Sequence, residues 1–598
     1  GSRDGGAGPW RAGGRVRGRW PMAPERRVDP EDGNAYTLDE LRSFYRGKFK
    51  PKDIAQYWDS TCRKVRGQAE GKAKAKAAAT KAPGTGGAAA KLAKVMAARE
   101  RDWRIGPIVY QVFVDRFAPP ADIEGRRALF PAPCTLHKWD EPPKRGEHNK
   151  EVGYWGHELQ FWGGDLQSLR SKLEYVKGLG AGILYLQPIC EAYSNHKYDA
   201  TDYCKVDPQY GTLEDFEALV KDLRSKEMKL VLDGVFNHMG RRNAHVQEAL
   251  DDAKSKTRDW FFIGDEHEKG FKTWGCSDNL AELKLETRSL QEHLWGGRDS
   301  VVATWLKRGA DGWRLDVAQE LGFEYLERLT AAAHRHKRGS LVVGEVWAYP
   351  SRWTAVMDGV LNLHLGVLIF GVVEGKYPGP TAAQSVANLV ADCGHEAVLR
   401  SWTVLSNHDT PRLAHRLPEL APRLLALTLQ FVLPGCPLVY YGDEIGLDGG
   451  DDPENRGTFR WESATDDNAV LAHTRKLVSL RQRLRALRIG DFRALVSQKL
   501  LAFMRATERV MDTVIVLANP TSEPVMEMVT VPDDRILGYT LFRDEVGGEE
   551  VRILGATVAI EVKPGTVRVL SMVNEDNPSG AQYKRIYGHW ASFKGLRH

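Results

Sequence analysis

From about residue 105 onward, apolar runs alternate with amphipathic stretches. The runs read as strands: IGPIVYQVFVDRF (105–117), GILYLQPI (182–189), KLVLDGVF (229–236), DGWRLDV (311–317), LVVGEVW (341–347), LNLHLGV (361–367), WTVLSNHD (402–409) and PLVYYGDE (437–444). Short length and β-branched or aromatic content favour buried strands over helix turns. Most of the intervals have helical spacing. In LEDFEALVKDLRSKEM (213–228), Thr212 and Asp215 are placed as a capping pair. Eight strands alternating with helices over about 380 residues predict an α/β chain, a (β/α)8 TIM barrel at 105–487. A short insertion follows the third strand at about 239–290. After 488 the texture becomes strands and turns (LLAFMRA, DTVIVLANP, EPVMEMVTV, TVAIEV, TVRVLSMV), which predicts a C-terminal antiparallel β-sandwich at 488–575 and a polar tail at 576–598.

The first 104 residues read differently, as an N-terminal extension. Residues 1–35, rich in Gly, Arg and Pro, predict disorder. Residues 36–64 show helical spacing at Leu38, Leu41, Phe44 and Tyr45, and again at Ile54, Tyr57 and Trp58, which predicts two short helices joined near Pro51. The tract GKAKAKAAATKAPGTGGAAAKLAKVM (71–96) reads as a solvated linker. No aromatics are interleaved in it to stack on nucleotide bases.

Charge sharpens this division. Residues 1–100 hold 22 Lys/Arg and 11 Asp/Glu, a balance of +11, so the remaining 498 residues sum to −6. A mildly acidic body argues against a nucleic-acid-binding core. Seven cysteines without a C-x-x-C pair argue against a disulfide framework or zinc site and for a reducing compartment. The longest apolar run, Val360–Val373, contains Asn362 and His364 and is too short to span a bilayer. No signal-peptide core is visible, so the expected location is intracellular, cytoplasm or plastid. RAGGRVRGRW reads as a disordered leader or a transit remnant.

In such a barrel, chemistry sits at the C-terminal strand ends. Those ends carry Asp233, Asn237 and His238, then Arg314 and Asp316, then Glu345 and Trp347, then Asn407, His408 and Asp409. Charges concentrated this way destabilise a fold unless they serve a function. The three carboxylates Asp316, Glu345 and Asp409 suit glycosidic-bond cleavage, which needs one group to protonate the leaving oxygen and another to meet the cationic sugar carbon. Arg314, two residues before Asp316 on the same strand face, is expected to hold Asp316 ionised. Glu345 has no local cation in sequence and is the candidate for the protonated acid.

VLDGVFNHMG, DGWRLDVAQE, VVGEVW and VLSNHDTPR, in this order and spacing, resemble the four signature segments of the α-amylase superfamily, glycoside hydrolase family 13. The resemblance implies a retaining α-glucan hydrolase acting on α-1,4 and also α-1,6 bonds, with Asp316 as nucleophile, Glu345 as acid/base and Asp409 as transition-state stabiliser. It further implies substrate-binding roles for Arg314, His238, His408 and Arg412, and for Tyr198 in YSNHKYDATDY. SNHKYD, HDTPR and YYGDEIGLDGGDDPENR look most like neopullulanases, cyclomaltodextrinases and maltogenic amylases. Structural Ca²⁺ is implied at Asn237 and Glu282. The partner implied is an α-glucan, with no nucleic acid and no membrane, and the oligomeric state stays open. Gln319-Glu320 replaces the family's Asn-Glu, LAELK its LPDLN, and residues 1–104 do not resemble its N-terminal β-domain. Two alternatives remain: a transglycosylase on the same substrates, and a non-catalytic scaffold relative.

Overall fold

A computed structural model describes residues 26–29, 35–45, 49–64, 85–275 and 277–573. The predicted disorder at 1–25 and 30–34, the first part of the Lys/Ala tract and the tail from 574 lie outside the described residues.

Eight parallel strands close a barrel: β1 (Ile108–Val112), β2 (Ala181–Leu186), β3 (Lys229–Gly234), β4 (Gly312–Leu315), β5 (Leu341–Val346), β6 (Gly359–Asn362), β7 (Trp402–Val404) and β8 (Cys436–Tyr440). Each pairs with its sequence neighbour, and β8 returns to β1 with Val439 opposite Tyr110. All-parallel closure buries both strand faces, so the strands carry near-continuous Val, Ile and Leu. The helix after β2 begins with the expected reciprocal cap: Thr212 Oγ1 accepts from the Asp215 amide, and Asp215 Oδ2 accepts from the Thr212 amide.

The sixth strand differs from expectation. The sequence LNLHLGV predicts strand throughout; the structure ends β6 at Asn362 and starts a helix at Leu363–Val373. Asn362 Oδ1 accepts from the Leu365 amide and so caps that helix. Apolar residues on all sides of a buried helix carry no period that separates it from a buried strand.

The insertion after β3 is a hairpin, His238–Gly240 paired with Leu280–Glu282, enclosing a helix at Ala244–Asp251. The C-terminal strands are β9 (Asp491–Ala494), β10 (Leu501–Ala506), β11 (Val514–Ala518), β12 (Val525–Thr530), β13 (Leu541–Asp544), β14 (Glu550–Arg552), β15 (Thr557–Val562) and β16 (Val567–Met572). They form a six-stranded antiparallel sheet, β9-β10-β11-β16-β13-β14, and a β12-β15 pair. Ile515, Leu517, Phe542 and Leu570 pack with Val529, Val558 and Ile560 in a core of their own.

The tract read as a linker holds a helix at Thr85–Arg101. It is pinned to the body of the molecule. Met96 is buried with Ile105, Leu399 and Ile489, and Arg99 reaches Glu396, Asp491 and the Ile489 carbonyl. The described residues of 26–64 belong to a separate unit. Within it, helices Leu38–Phe44 and Pro51–Ser60 bury Leu41, Tyr45, Ile54 and Trp58, and the Tyr45 and Tyr57 hydroxyls donate to the buried Asp29. No described helix is long and apolar enough to cross a membrane.

Candidate active site

The C-terminal ends of β3, β4 and β5 and the segment after β7 deliver their polar residues into one cleft of about 300 Å³. Its lining includes Tyr198, His238, Asp316, Glu345, Trp347, His408 and Asp409.

Arg314 is the hub. It is fully buried, and its two arms divide the carboxylates: Nη1 lies 2.9 Å from both Asp316 Oδ1 and Asp233 Oδ1, and Nη2 lies 2.8 Å from Glu345 Oε2. Glu345, which lacks a cation in local sequence, thus gains one through the fold. Its Oε2 also accepts from the Val317 amide (3.1 Å), and its Oε1 from the Trp347 indole (3.1 Å). Val317 has φ 37°, in the left-handed region, where a β-branched side chain is strained. That turn aims its N–H at Glu345.

One guanidinium among several buried carboxylates leaves the cluster short of positive charge. Burial pushes Asp316 well above the usual carboxylate range. Arg314 opposes this, while the charges of Glu345, Asp233 and Asp409 reinforce it. Burial also raises Asp233, again against Arg314. Arg314 thus favours the charged form of Asp316, as the strand spacing predicts, but divides its charge among Asp233, Asp316 and Glu345, and burial acts against it. Strongly interacting groups titrate as one unit.

Tyr198 and His408 stack face to face, with centroids 5.5 Å apart and 6° between planes. The Tyr198 hydroxyl donates to Asp233 Oδ2 (3.0 Å) and meets His408 Nε2 at 2.6 Å. The Gln111 amide donates to His408 Nδ1 (3.0 Å), which places the imidazole hydrogen on Nε2. Burial drives the His408 pKa well below its ordinary value, consistent with a neutral ring. Asp409 Oδ2 lies 3.1 Å from that Nε2, and the Asp409 amide donates to Asn407 Oδ1. His238 stacks on Trp274 at 4.8 Å, and burial brings it down to about 3. No described side chain hydrogen-bonds its buried ring nitrogens; the Tyr198 backbone is the polar group beside them.

The sequence does not single out Glu158, Trp274, Asp452 or Arg456. Arg456 approaches Asp409 (3.4 Å) and Asp452 (3.2 Å), and its Nε donates to the His408 carbonyl. Its signal lies in the acidic run DGGDDPENR. Trp274 is fixed by donating its indole N–H to Glu320 (2.6 Å), 46 residues away, a pairing that no local pattern announces.

Two expectations fail. Arg412 is not at the cleft: it is fully buried, stacked against the Tyr440 and Tyr441 rings, and donates to the Tyr441 carbonyl and Asp443. Asn237 and Glu282 do not suit calcium. Glu282 Oε1 accepts from the Lys272 ammonium at 2.6 Å, the Asn237 carbonyl is taken by the Leu283 amide, and the Asn237 side chain is buried.

Residues 111–486 match the model of the alpha-amylase catalytic domain. The chain belongs to the α-amylase family of glycoside hydrolases. Among its family relatives, Neopullulanase 2 of Thermoactinomyces vulgaris is 29% identical over 77% of this chain and 77% of its own. A cyclomaltodextrinase of Geobacillus thermopakistaniensis is 30% identical over 71% of this chain and 70% of its own. Among solved α-amylase-family structures, the cyclic α-maltosyl-(1→6)-maltose hydrolase of Arthrobacter globiformis, ligand-free, superposes with a TM-score of 0.66 at 27% identity, covering 79% of this chain and all of that one.

Proposed function

We propose that this family member is a retaining α-glucan hydrolase, cleaving α-1,4 and also α-1,6 glucosidic bonds in maltodextrins, starch, pullulan or cyclodextrins. One observation carries the reading: Asp316 and Glu345 approach one cleft from neighbouring strands, tied to opposite arms of Arg314, with Asp409 across from them. In the reactive form Asp316 is ionised and the cluster's proton rests on Glu345. Asp316 attacks the anomeric carbon while Glu345 protonates the leaving oxygen. Glu345, now a base, then takes a proton from water, and water releases the sugar from Asp316. Two carboxylates gripping one guanidinium favour the close spacing of about 5–5.5 Å that a nucleophile–acid pair needs, against the roughly 6.5–9.5 Å of an inverting pair. Asp409 and the neutral His238 and His408 hold sugar hydroxyls, and Tyr198 lays its ring along the sugar face. Relatives named as a neopullulanase and a cyclomaltodextrinase support the substrate class.

The test is product analysis by NMR on pullulan, soluble starch and β-cyclodextrin, with wild type beside Asp316→Asn. Wild type releases α-anomeric products first, and the variant loses about 10⁴-fold or more in turnover. Initial β-products would overturn the retaining mechanism. A folded wild type inert on all three glucans would overturn the hydrolase.

A further inference from the structure

The connection from β1 to β2 contains a hairpin, His148–Asn149 paired with Tyr154–Trp155. Strand alternation sends its last two side chains opposite ways. Tyr154 is buried, and its hydroxyl donates to Asp199 Oδ2 (2.6 Å); Trp155 is 45% exposed. Among the described tryptophans only Trp155 and Trp347 are exposed, and Trp347 lines the cleft. We infer that Trp155 is a stacking platform for a glucosyl unit beyond the cleft, on the glycone side that stays on Asp316, so that the enzyme favours long linear glucans. This rests on the function proposed above and names the substrate length that the same site selects.

Two neighbours join Trp155 to the cleft. Its N–H donates to Glu158 Oε2 (2.5 Å), and Glu158 lines the cleft. Its ring lies 6.2 Å from that of His157, and His157 Nε2 lies 3.9 Å from Asp452, another lining residue. An indole, an imidazole and two carboxylates in sequence match the two kinds of surface on a sugar. The ring takes the apolar C–H face, and the polar groups take the hydroxyls. The direction follows from the ion pairs. Arg456 links Asp452 (3.2 Å) to Asp409 (3.4 Å), whereas Trp347 is bonded to Glu345, where the leaving oxygen departs. The row that starts at Asp452 therefore faces the retained sugar.

The platform is held from behind. Gly146 and Gly156 pack so closely that a Cβ on Gly146 would come within 2.6 Å of the Gly156 Cα, and the Gly156 N–H donates to the Glu147 carbonyl (2.8 Å). The Asn279 side-chain amide donates to the Gly153 carbonyl, which ties the hairpin to the insertion beside Leu280, a lining residue of the cleft. An indole fixed in this way loses little freedom when a sugar stacks on it.

The test digests maltooligosaccharides from maltotriose to maltoheptaose, labelled at the reducing end, with the full chain. It reads kcat/KM at each length and, by mass spectrometry, the size of the labelled fragment. Wild-type kcat/KM should rise at least ~10-fold from maltotriose to maltohexaose, the scale of one stacked ring used by a remote part of the substrate. Labelled fragments from maltohexaose should be short, because the glycone must reach Trp155. Trp155→Ala should flatten the rise and lengthen those fragments, and Trp155→Phe, which keeps a ring, should hold most of both. No rise in wild type, a rise that Trp155→Ala keeps, or an equal loss at every length would overturn the platform and leave the hydrolase standing. Shorter labelled fragments from Trp155→Ala would place the ring on the leaving-group side and overturn the assignment as well. A wild type inert at every length would remove the hydrolase and the platform together.

Discussion

Arg314 serves Asp233, Asp316 and Glu345 at once because a guanidinium has two arms and a planar fork. A lysine has one point charge and cannot reach across the strand to Glu345 while holding Asp316 and Asp233. Arg314→Lys is therefore expected to lose at least ~10²-fold in kcat and, by leaving a buried carboxylate without its cation, about 3 kcal/mol or more in stability. Steady-state kinetics and urea unfolding of the same preparation check the two parts. A variant close to wild type in both would mean that the carboxylates are held by other groups. Protonation at this scale belongs to the cluster. Burial acts against Arg314 at Asp316, so the positive charge that grows on the anomeric carbon in the transition state meets a cluster that the arginine leaves short of cations.

At the scale of elements, the insertion after β3 contributes His245 and Trp260 to a stack that His293, beyond the insertion, completes. His245 and His293 lie 5.1 Å apart, and both rings rest against Trp260. Burial, reinforced by the nearby His245, brings His293 down from 6.5 to about 4. Burial also lowers His245, against the pull of Glu248 and Asp202. A histidine with a depressed folded-state pKa must be charged to unfold in acid, so its stability is complete above 6.5 and drains away as pH falls toward about 4. Thermal melts followed by tryptophan fluorescence across that window should show the loss, and His293→Phe should flatten it while keeping a ring on Trp260. An unchanged pH slope in His293→Phe would place the sensitivity elsewhere.

The same scale shows what the sequence made legible. Seven of the eight barrel strands are legible because parallel strands buried on both faces read as apolar runs, whereas the sixth reads mostly onto the helix that follows it, and Asp316, Glu345, Asp409, His238 and His408 are legible because they end those runs. Arg412 misled for the opposite reason. It sits three residues past Asp409, but the chain turns between them, and proximity in sequence says nothing of which way a side chain faces after a strand ends. Trp274 and Glu158 come from the insertion and the loop after β1, whose meeting over the cleft is set by tertiary contacts such as Trp274 to Glu320. The helix at Thr85–Arg101 hid in Ala/Lys composition that also suits a linker; its docking through Met96 and Arg99 decides the matter.

For the whole molecule, that helix ties together parts far apart in sequence. Arg99 joins Glu396, before β7, to Asp491, the first residue of β9. Just beyond it, burial would raise Asp102, but hydrogen bonds from Arg104 and Arg400 carry it down to about 2. A chain begun at residue 104 should be less stable than one begun at residue 84 by at least about 3 kcal/mol, through lost burial of Met96 and lost ion pairs. Chemical denaturation of the two truncations measures this directly. Equal midpoints and slopes would mean that the helix contributes nothing to the body of the protein.

The left-handed backbone of Val317, beside Asp316 and donating to Glu345, is a conformation that glycine or asparagine would adopt with less strain. Val317→Gly should therefore relax the turn while loosening the N–H that holds Glu345, so that robustness and turnover pull in opposite directions at this one position.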